Sequence, residues 1–459
     1  MRALPCTAWL CCLLLAACTG GSSTSDPPPV TTPPWSVDRG FVRDVDGRAV
    51  ILRGVNMAQK HKHAPYFDFH TAEDFARIRN DWGMNSIRFL LSWAALEPQP
   101  DVFDEAYLAA VRTRMDWARD AGLVVILDMH QDVYGEGFGF NGAPRWTCSE
   151  SHYAAFTPQP QWYLNYLNEH VIACFDAFWG DAALQDHLAR AWHLVALRLA
   201  DHPAVVGFDV MNEPFLGSYG LAEFEPAALQ PFYESVVTAV RQAAPDWIAF
   251  LEPFSMRNLG YPSMLTVFPF PNVVYSPHAY DAAAEQGMGF DPARRQPILD
   301  NVAGMAVEAT ALGAALWIGE YGGTATHAGI TPYMDAVDDA VAAAGAGSMY
   351  WHYGKDGAYG MLDAQGNEKP ALLAALVRPF PERVAGDGVR WTFDDATAQF
   401  TLGFTARTAI TAPTRISAPA RVYPNGPTVE CTGCDAVVEG QVVVVQSRGD
   451  TPVQVVLRR

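Results

Sequence analysis

The sequence predicts an α/β fold, a (β/α)8 TIM barrel followed by a small C-terminal β-sandwich. Three observations carry this. Eight short apolar runs alternate with amphipathic helical stretches or long loops, the pattern of parallel strands joined by crossovers. Most of those runs end abruptly in a polar or aromatic residue, and strand C-termini are where a barrel gathers its chemistry. Past Pro379-Phe380-Pro381 the helical period stops, and short alternating segments separated by turn residues take over. An open doubly wound sheet is the alternative. No G-x-G-x-x-G follows the first strand, so the barrel is preferred.

The first eighteen residues lie outside this fold. Arg2 gives a positive start, and Trp9 to Ala17 is apolar but too short to span a bilayer. The run ends Leu15-Ala16-Ala17-Cys18, which resembles the lipobox of bacterial lipoproteins and so implies cleavage before Cys18 and lipidation of its thiol. An ordinary secretory signal is the alternative, because Cys6, Cys11 and Cys12 crowd the same segment. Either reading places the mature chain outside the cytoplasm, secreted or lipid-anchored to the bacterial cell envelope. Residues 19–36 are rich in Ser, Thr, Gly and Pro, the composition of a tether. The barrel is then expected over 37–380 and the sandwich over 381–459. A chain of 459 residues, 50% hydrophobic, is long and apolar enough for both cores. A net charge of -19 argues against nucleic acid as a partner and against electrostatic binding to anionic membranes.

Val37 to Val45 alternates loosely and turns at Asp46-Gly47, a hairpin signal. Ala49 to Asn56 reads as the first core strand and Asn85 to Leu90 as the second, with Arg88 embedded in it. Ala72, Phe75, Ile78 and Trp82 between them share one helical face. The third strand, Val124 to His130, follows a helix from Glu105 to Ala121. A long irregular insertion then runs from Gln131 to about Trp179. The fourth strand is Val205-Val206-Gly207-Phe208-Asp209-Val210-Met211, ending in Asn212-Glu213-Pro214, where proline stops the ladder. Trp247 to Glu252, Asn272 to His278, Ala315 to Glu320 and Ser348 to Trp351 complete the set.

The strand ends supply Arg88, His130 with Asp132 just beyond, Asn212-Glu213, His278 and Tyr280, Glu320 and Trp351. One such residue is more often a buried polar group or a cap than a catalyst. Several at equivalent ends point to one pocket. Two glutamates at two strand ends are the minimum equipment of retaining glycoside hydrolysis. On these residues the sequence resembles the glycoside hydrolase family 5 barrels, marked by Asn-Glu-Pro at the fourth strand and a glutamate at the seventh. More narrowly, Asp128-Met129-His130-Gln131-Asp132-Val133-Tyr134, Asn141-Gly142-Ala143-Pro144, Arg88-Phe89-Leu90-Leu91-Ser92-Trp93, Lys62-His63-Ala64-Pro65 and Val377-Arg378-Pro379-Phe380-Pro381 are similar to the endoglycoceramidases. The resemblance spans roughly residue 37 to the end. It implies that Lys62, His130 and Asp132 hold hydroxyls of the sugar beside the cleaved bond. It also implies a C-terminal β-sandwich. Two departures, a short third-loop insertion (Gly135 to Ser151) and Tyr321 where a Phe is expected, leave the preferred glycan open.

The chemistry assigns the roles. Glu320 must be ionised to attack the anomeric carbon, and Glu213 must hold a proton until the leaving oxygen takes it. Asn212 suits the sugar 2-hydroxyl, Arg88 and Tyr280 can hold Glu320 ionised, His278 can hydrogen-bond nearby, and Trp351 offers a stacking floor. Glu252 is at least as well placed to be a structural partner as a catalyst, and Asp209 is expected to pair within the barrel. No metal and no cofactor is required by this chemistry. Cys431-Thr432-Gly433-Cys434 resembles half a zinc site, but no second pair lies nearby, and a tight disulfide is expected. Cys148 and Cys174 both lie in the long insertion and are expected to pair across it. The expected partners are a glycolipid or oligosaccharide substrate and a membrane reached through the lipid anchor, with the chain a monomer. A lipid aglycone would need an apolar groove. Phe138, Phe140, Trp146, Phe215 and Leu216 are placed to line one, as are Tyr353, Tyr359, Met361 and Leu362, with ordinary packing under the loops as the alternative. A cellulase-like enzyme and a catalytically silent glycan- or lipid-binding lipoprotein remain competing readings.

Overall fold

A computed structural model describes residues 35–57, 65–67 and 69–459. The signal segment, the tether as far as residue 34, Cys18 and Lys62 fall outside the described residues, while Ser36, expected in the tether, already belongs to a strand. Eight parallel strands close into a barrel: Arg53–Met57, Ser86–Leu91, Val124–Met129, Val205–Asp209, Ile248–Leu251, Val273–Tyr275, Ala315–Tyr321 and Gly347–Tyr350. Each pairs with the next, and the eighth pairs with the first through Ser348–Arg53 and Tyr350–Val55. The two-residue period of the strands sorts their side chains. Val124, Ile126, Val206, Ile248, Phe250, Val274, Trp317 and Met349 fill the barrel interior. Neighbours such as Val125, Leu127, Phe208 and Ala249 pack outward against the helices. Inside, Phe250 and Trp317 meet edge to face with ring centroids 4.9 Å apart.

The helices begin and end where the sequence chemistry puts them. Asp104 caps Glu105–Ala121 by accepting from the backbone N–H groups of Ala106 and Tyr107, and Gly122 ends it in the left-handed region at φ 76°. Leu108, Val111, Met115 and Ala118 form its buried face. No helix among the described residues is long and apolar enough to cross a membrane.

Two features differ from the sequence reading. The apolar run from Ala49 to Asn56 is not one strand. Ala49–Val50 pairs antiparallel with Arg383 and Val384, and the barrel strand starts at Arg53. Asn85 stitches the break, its side chain accepting from Arg53 N at 2.9 Å and donating to Ile51 O at 2.8 Å. Ser36–Asp38 and Phe41–Arg43 join the same seven-stranded sheet, which also takes in Phe380–Val384, Thr414–Ser417, Val442–Ser447 and Cys434–Glu439. A four-stranded sheet of Gly386–Asp394, Gln399–Ala406, Pro452–Arg458 and Thr428–Thr432 stands apart from it, and Phe400, Leu402, Ile416, Val443, Val445 and Val455 form the core shared by the two sheets. The second difference lies after the third strand. The insertion is partly helical, with Glu150–Ala155 and Glu169–Gly180, because Ser149 and Asn168 supply N-caps and Val171, Cys174, Phe175 and Phe178 recur on one face.

Cys148 and Cys174 are joined in a disulfide with Cα atoms 5.5 Å apart, closing a separation of 26 residues, and Cys431 and Cys434 form a second one. For a loop of that length, replacing Cys148 and Cys174 together by Ser should lower unfolding stability by about 3 kcal/mol. Denaturant titration of the purified double variant against the unsubstituted chain measures this, and an unchanged midpoint would show that the staple contributes nothing.

Candidate active site

The mouth of the barrel is organised around Arg88. Its guanidinium is fully buried, so each donor requires a protein acceptor. Nε donates to Asp209 at 3.0 Å, and Nη1 donates to Glu320 Oε1 at 2.8 Å and to Asn56 at 3.1 Å. Nη2 reaches Asn212 Oδ1 at 3.0 Å, Glu252 Oε1 at 2.9 Å and Asp128 Oδ1 at 2.9 Å. One cation on the second strand thus fixes groups from the first, third, fourth, fifth and seventh strands. The expectation that Asp209 pairs within the barrel is met by this contact.

Glu320 ends the seventh strand, buried to 4% exposure. Its Oε1 accepts from Arg88 and its Oε2 from Tyr280 OH at 2.8 Å. Burial raises its pKa above the ordinary carboxylate value, while His278 and Arg88 pull it back. The fourth strand stops at Asp209, short of the Met211 expected from the sequence, and Glu213 lies just beyond it with backbone in the left-handed region at φ 41°. For a residue with a Cβ this conformation is strained by about 1–3 kcal/mol, and it is pinned here by neighbours. Glu213 N donates to Glu252 Oε2 at 2.8 Å, and the Gln131 side chain donates to the carbonyls of Asn212 and Glu213, both at 2.9 Å. A carboxylate oxygen from each of Glu213 and Glu320 and a ring nitrogen of His278 lie within 4.8 Å of one another.

His278 sits between the acids. Nδ1 lies 2.8 Å from Glu213 Oε1 and 3.6 Å from Glu320 Oε2, and Nε2 lies 3.1 Å from Glu252 Oε1. Burial disfavours its charge, but Glu252 and Glu320 outweigh that and hold its pKa well above the ordinary histidine value. His130 shows the same balance. Asp128, 2.8 Å from its Nδ1, overcomes burial and lifts it to about 9, with Asp132 3.5 Å from Nε2. The His130 ring stacks on Trp351 at 5.3 Å and 14°. Asn212 is anchored on both sides, since its Nδ2 donates to Gln131 O at 3.0 Å.

The structure therefore brings Arg88, His130, Asp132, Asn212, Glu213, His278, Tyr280, Glu320 and Trp351 to one mouth. Glu252 is a buried partner of Arg88, His278 and the Glu213 backbone. Sequence reasoning passed over Asn258, whose Nδ2 donates to Glu213 Oε1 at 2.7 Å, because it lies in the loop after the fifth strand. It also passed over Asn56 and the pairing of Asp128 with His130; both are polar residues in apolar barrel strands, the signal that singled out Arg88. The second apolar groove reading does not hold. Tyr353, Met361 and Leu362 are completely buried and pack in the core, and only Tyr359 is half-buried, with its ring 6.4 Å from that of Tyr280. Phe138 and Phe215 are buried as well, and Phe140, Trp146 and Leu216 are half-buried against the same core. Open space lies elsewhere, in a groove of about 580 Å³ lined by Asn258, Leu259, Pro262, Tyr280 and Ile298 among others. Two groups among the described residues have atoms close enough for a cation: Glu213 with His278 and Glu320, and Glu97 with Asp101 and His187. In the second group Arg190 already pairs with Asp101.

Two glutamates facing each other at the strand ends of a (β/α)8 barrel, with one arginine and one tyrosine holding the seventh-strand acid, define a glycoside hydrolase site. The comparisons narrow the class. The family model for cellulase (glycosyl hydrolase family 5) matches residues 44–357, and that for the glycoside hydrolase family 5 C-terminal domain matches residues 378–456. Endoglycoceramidase I of Rhodococcus hoagii (strain 103S) is 30% identical over 449 residues, covering 90% of this chain and 86% of its own. Endo-glycoceramidase II from Rhodococcus sp. in its ganglioside GM3 complex superposes with a TM-score of 0.84 at 34% identity, over 91% of this chain and 99% of that one. The same enzyme as a lactosyl-enzyme intermediate gives 0.82 at 33% identity over the same shares. The chain belongs to glycosyl hydrolase family 5 and is an endoglycoceramidase-like glycoside hydrolase.

Replacing Arg88 by Met should strip four carboxylates of their common cation and destabilise the fold by about 3–5 kcal/mol. Thermal and denaturant melting check this. A melting point equal to that of the unsubstituted chain would mean that the network does not depend on Arg88.

Proposed function

We propose that this chain is a retaining endo-β-glycosidase that cleaves the bond between oligosaccharide and ceramide in glycosphingolipids, with Glu320 as nucleophile and Glu213 as acid and base. The observation that carries the reading is the closeness of the two acids. Retaining pairs stand about 5–5.5 Å apart, whereas inverting pairs leave room for a water at about 6.5–9.5 Å. Oxygens of Glu213 and Glu320 within 4.8 Å fit the first arrangement. The similarity to enzymes named for ceramide-linked glycans supports the aglycone.

In the first half-reaction Glu320, held by Arg88 and Tyr280, attacks the anomeric carbon while Glu213 gives its proton to the departing ceramide oxygen. In the second, Glu213 takes a proton from water, whose oxygen displaces Glu320 and completes the retained product. Trp351 and His130 stand beside the pair as a floor for the sugar, and Asn212 faces its 2-hydroxyl. To Lys62 and Asp132 we assign the binding of the remaining sugar hydroxyls. We place the enzyme outside the cytoplasm, held to the envelope by a lipid on Cys18. Serine at position 18 should then release it from the membrane fraction.

Incubation with a panel of glycosphingolipids and β-glucans, followed by mass analysis, tests the substrate. Free ceramide with intact oligosaccharide is expected, and glucan fragments alone would sink the reading in favour of a cellulase-like enzyme. Glu320→Gln should lose turnover by at least about 10⁴-fold, as expected when a nucleophile is removed, and undiminished activity would refute the assignment. The raised Glu320 pKa has a defined sign. The nucleophile works ionised, so kcat/KM should fall as pH drops through a value above the ordinary carboxylate pKa of about 4.3. An acid limb at or below that value contradicts it.

A further inference from the structure

Resting on the assignment of Glu213 as acid and base, we propose that Asn258 is a positioning residue: its amide engages Oε1 of Glu213 so that the transferable proton is carried on Oε2. Two nitrogen donors converge on that one oxygen. Asn258 Nδ2 is 2.7 Å from Oε1 and His278 Nδ1 is 2.8 Å from it. His278 Nδ1 also lies 3.6 Å from Glu320 Oε2, so it faces only carboxylate acceptors and is the ring nitrogen that carries a hydrogen. An oxygen accepting two such bonds has no lone pair left for a proton, which leaves Oε2 as the site of transfer.

The platform under Asn258 is fixed from several directions. It lies on the single turn Ser255–Leu259. Ser255 N donates to Pro214 O at 2.9 Å, which ties the turn to the residue after Glu213. Arg257 donates through Nε to Glu308 at 2.8 Å and through Nη1 to Asn301 at 2.6 Å. The buried Glu225 carboxylate accepts from Phe254 N at 2.9 Å and from Ser263 Oγ at 3.0 Å, and so clamps both ends of the loop. Asn258 also shares the wall of the open groove with Tyr280, the donor to Glu320. The same loop therefore both bonds the acid and borders the groove.

The consequence differs between the two half-reactions. As the glycosidic C–O bond breaks, the electron pair stays with the leaving oxygen, the proton passes to it from Oε2, and the new carboxylate is met by donors already in place. When water attacks, Oε2 accepts its proton without a rotation of the carboxyl group. The titratable groups around Glu213 are His278, Glu252, Glu320, Tyr280 and Tyr166. Asn258 is the neutral donor among them.

The test compares the unsubstituted enzyme with Asn258→Ala and the nearly isosteric Asn258→Asp on dinitrophenyl and octyl β-lactosides. The first leaving group departs without a proton and the second needs one. In both variants the ratio of kcat/KM for dinitrophenyl over octyl lactoside should rise about tenfold. The alkaline limb of the octyl profile should move to higher pH, further with Asp because its charge opposes a second carboxylate. Equal losses on both substrates with an unmoved limb, or no change at all in Asn258→Asp, would overturn the assignment and leave Asn258 a packing residue. An unsubstituted enzyme that leaves both lactosides intact would instead remove the reading of this site as a β-glycosidase, and this proposal with it.

Discussion

The mouth of the barrel depends on one buried cation. Arg88 engages groups from five strands, and without it Asp128, Asp209, Glu252 and Glu320 would be acids crowded into a site with little water. Arginine suits the position because its planar fork presents five donors in fixed directions and keeps its charge when buried. Lysine would offer a point charge and three donors in place of five. The geometry of both catalytic candidates follows. Glu320 is gripped directly, and Glu213 is gripped through Asn212 and Glu252.

The second constraint is a balance of charge. Burial favours neutral carboxyls, which is why Asp209 is held well above its ordinary pKa and Glu320 is raised. Arg88 and His278 oppose that. Glu320 keeps its two donors, Arg88 and Tyr280, while Glu213 is only half-buried and within reach of His278 and Asn258. One acid is thus walled in and one is left open to exchange protons, a difference in surroundings that separates the roles of two identical side chains.

Much of this was legible in the sequence because a barrel converts strand ends into a site. A polar residue closing an apolar run, as at Asn212-Glu213 or Glu320, has one sterically sensible place, and an arginine inside such a run announces a buried network. What escaped had no such signature. Asn258 belongs to a loop whose path is set by Glu225, Glu308 and Pro214, contacts that no periodicity encodes. Tyr353, Met361 and Leu362 follow a strand end and are apolar, so a groove wall and a core read alike until burial is known. The apolar run from Ala49 to Asn56 announced a strand but could not say that Ala49–Val50 would be claimed by a different sheet.

That last ambiguity bears on how the molecule is assembled. Val50 pairs with Arg383, so a segment made early in synthesis has its partner made roughly 330 residues later. Until then Phe41–Arg43 and Ala49–Val50 offer an open backbone edge beside the first barrel strand. In the folded chain the C-terminal sheet returns to the beginning of the chain and covers that edge. Barrel and sandwich share that seam, and a chain released before Phe380 would carry an adhesive edge that the complete one conceals.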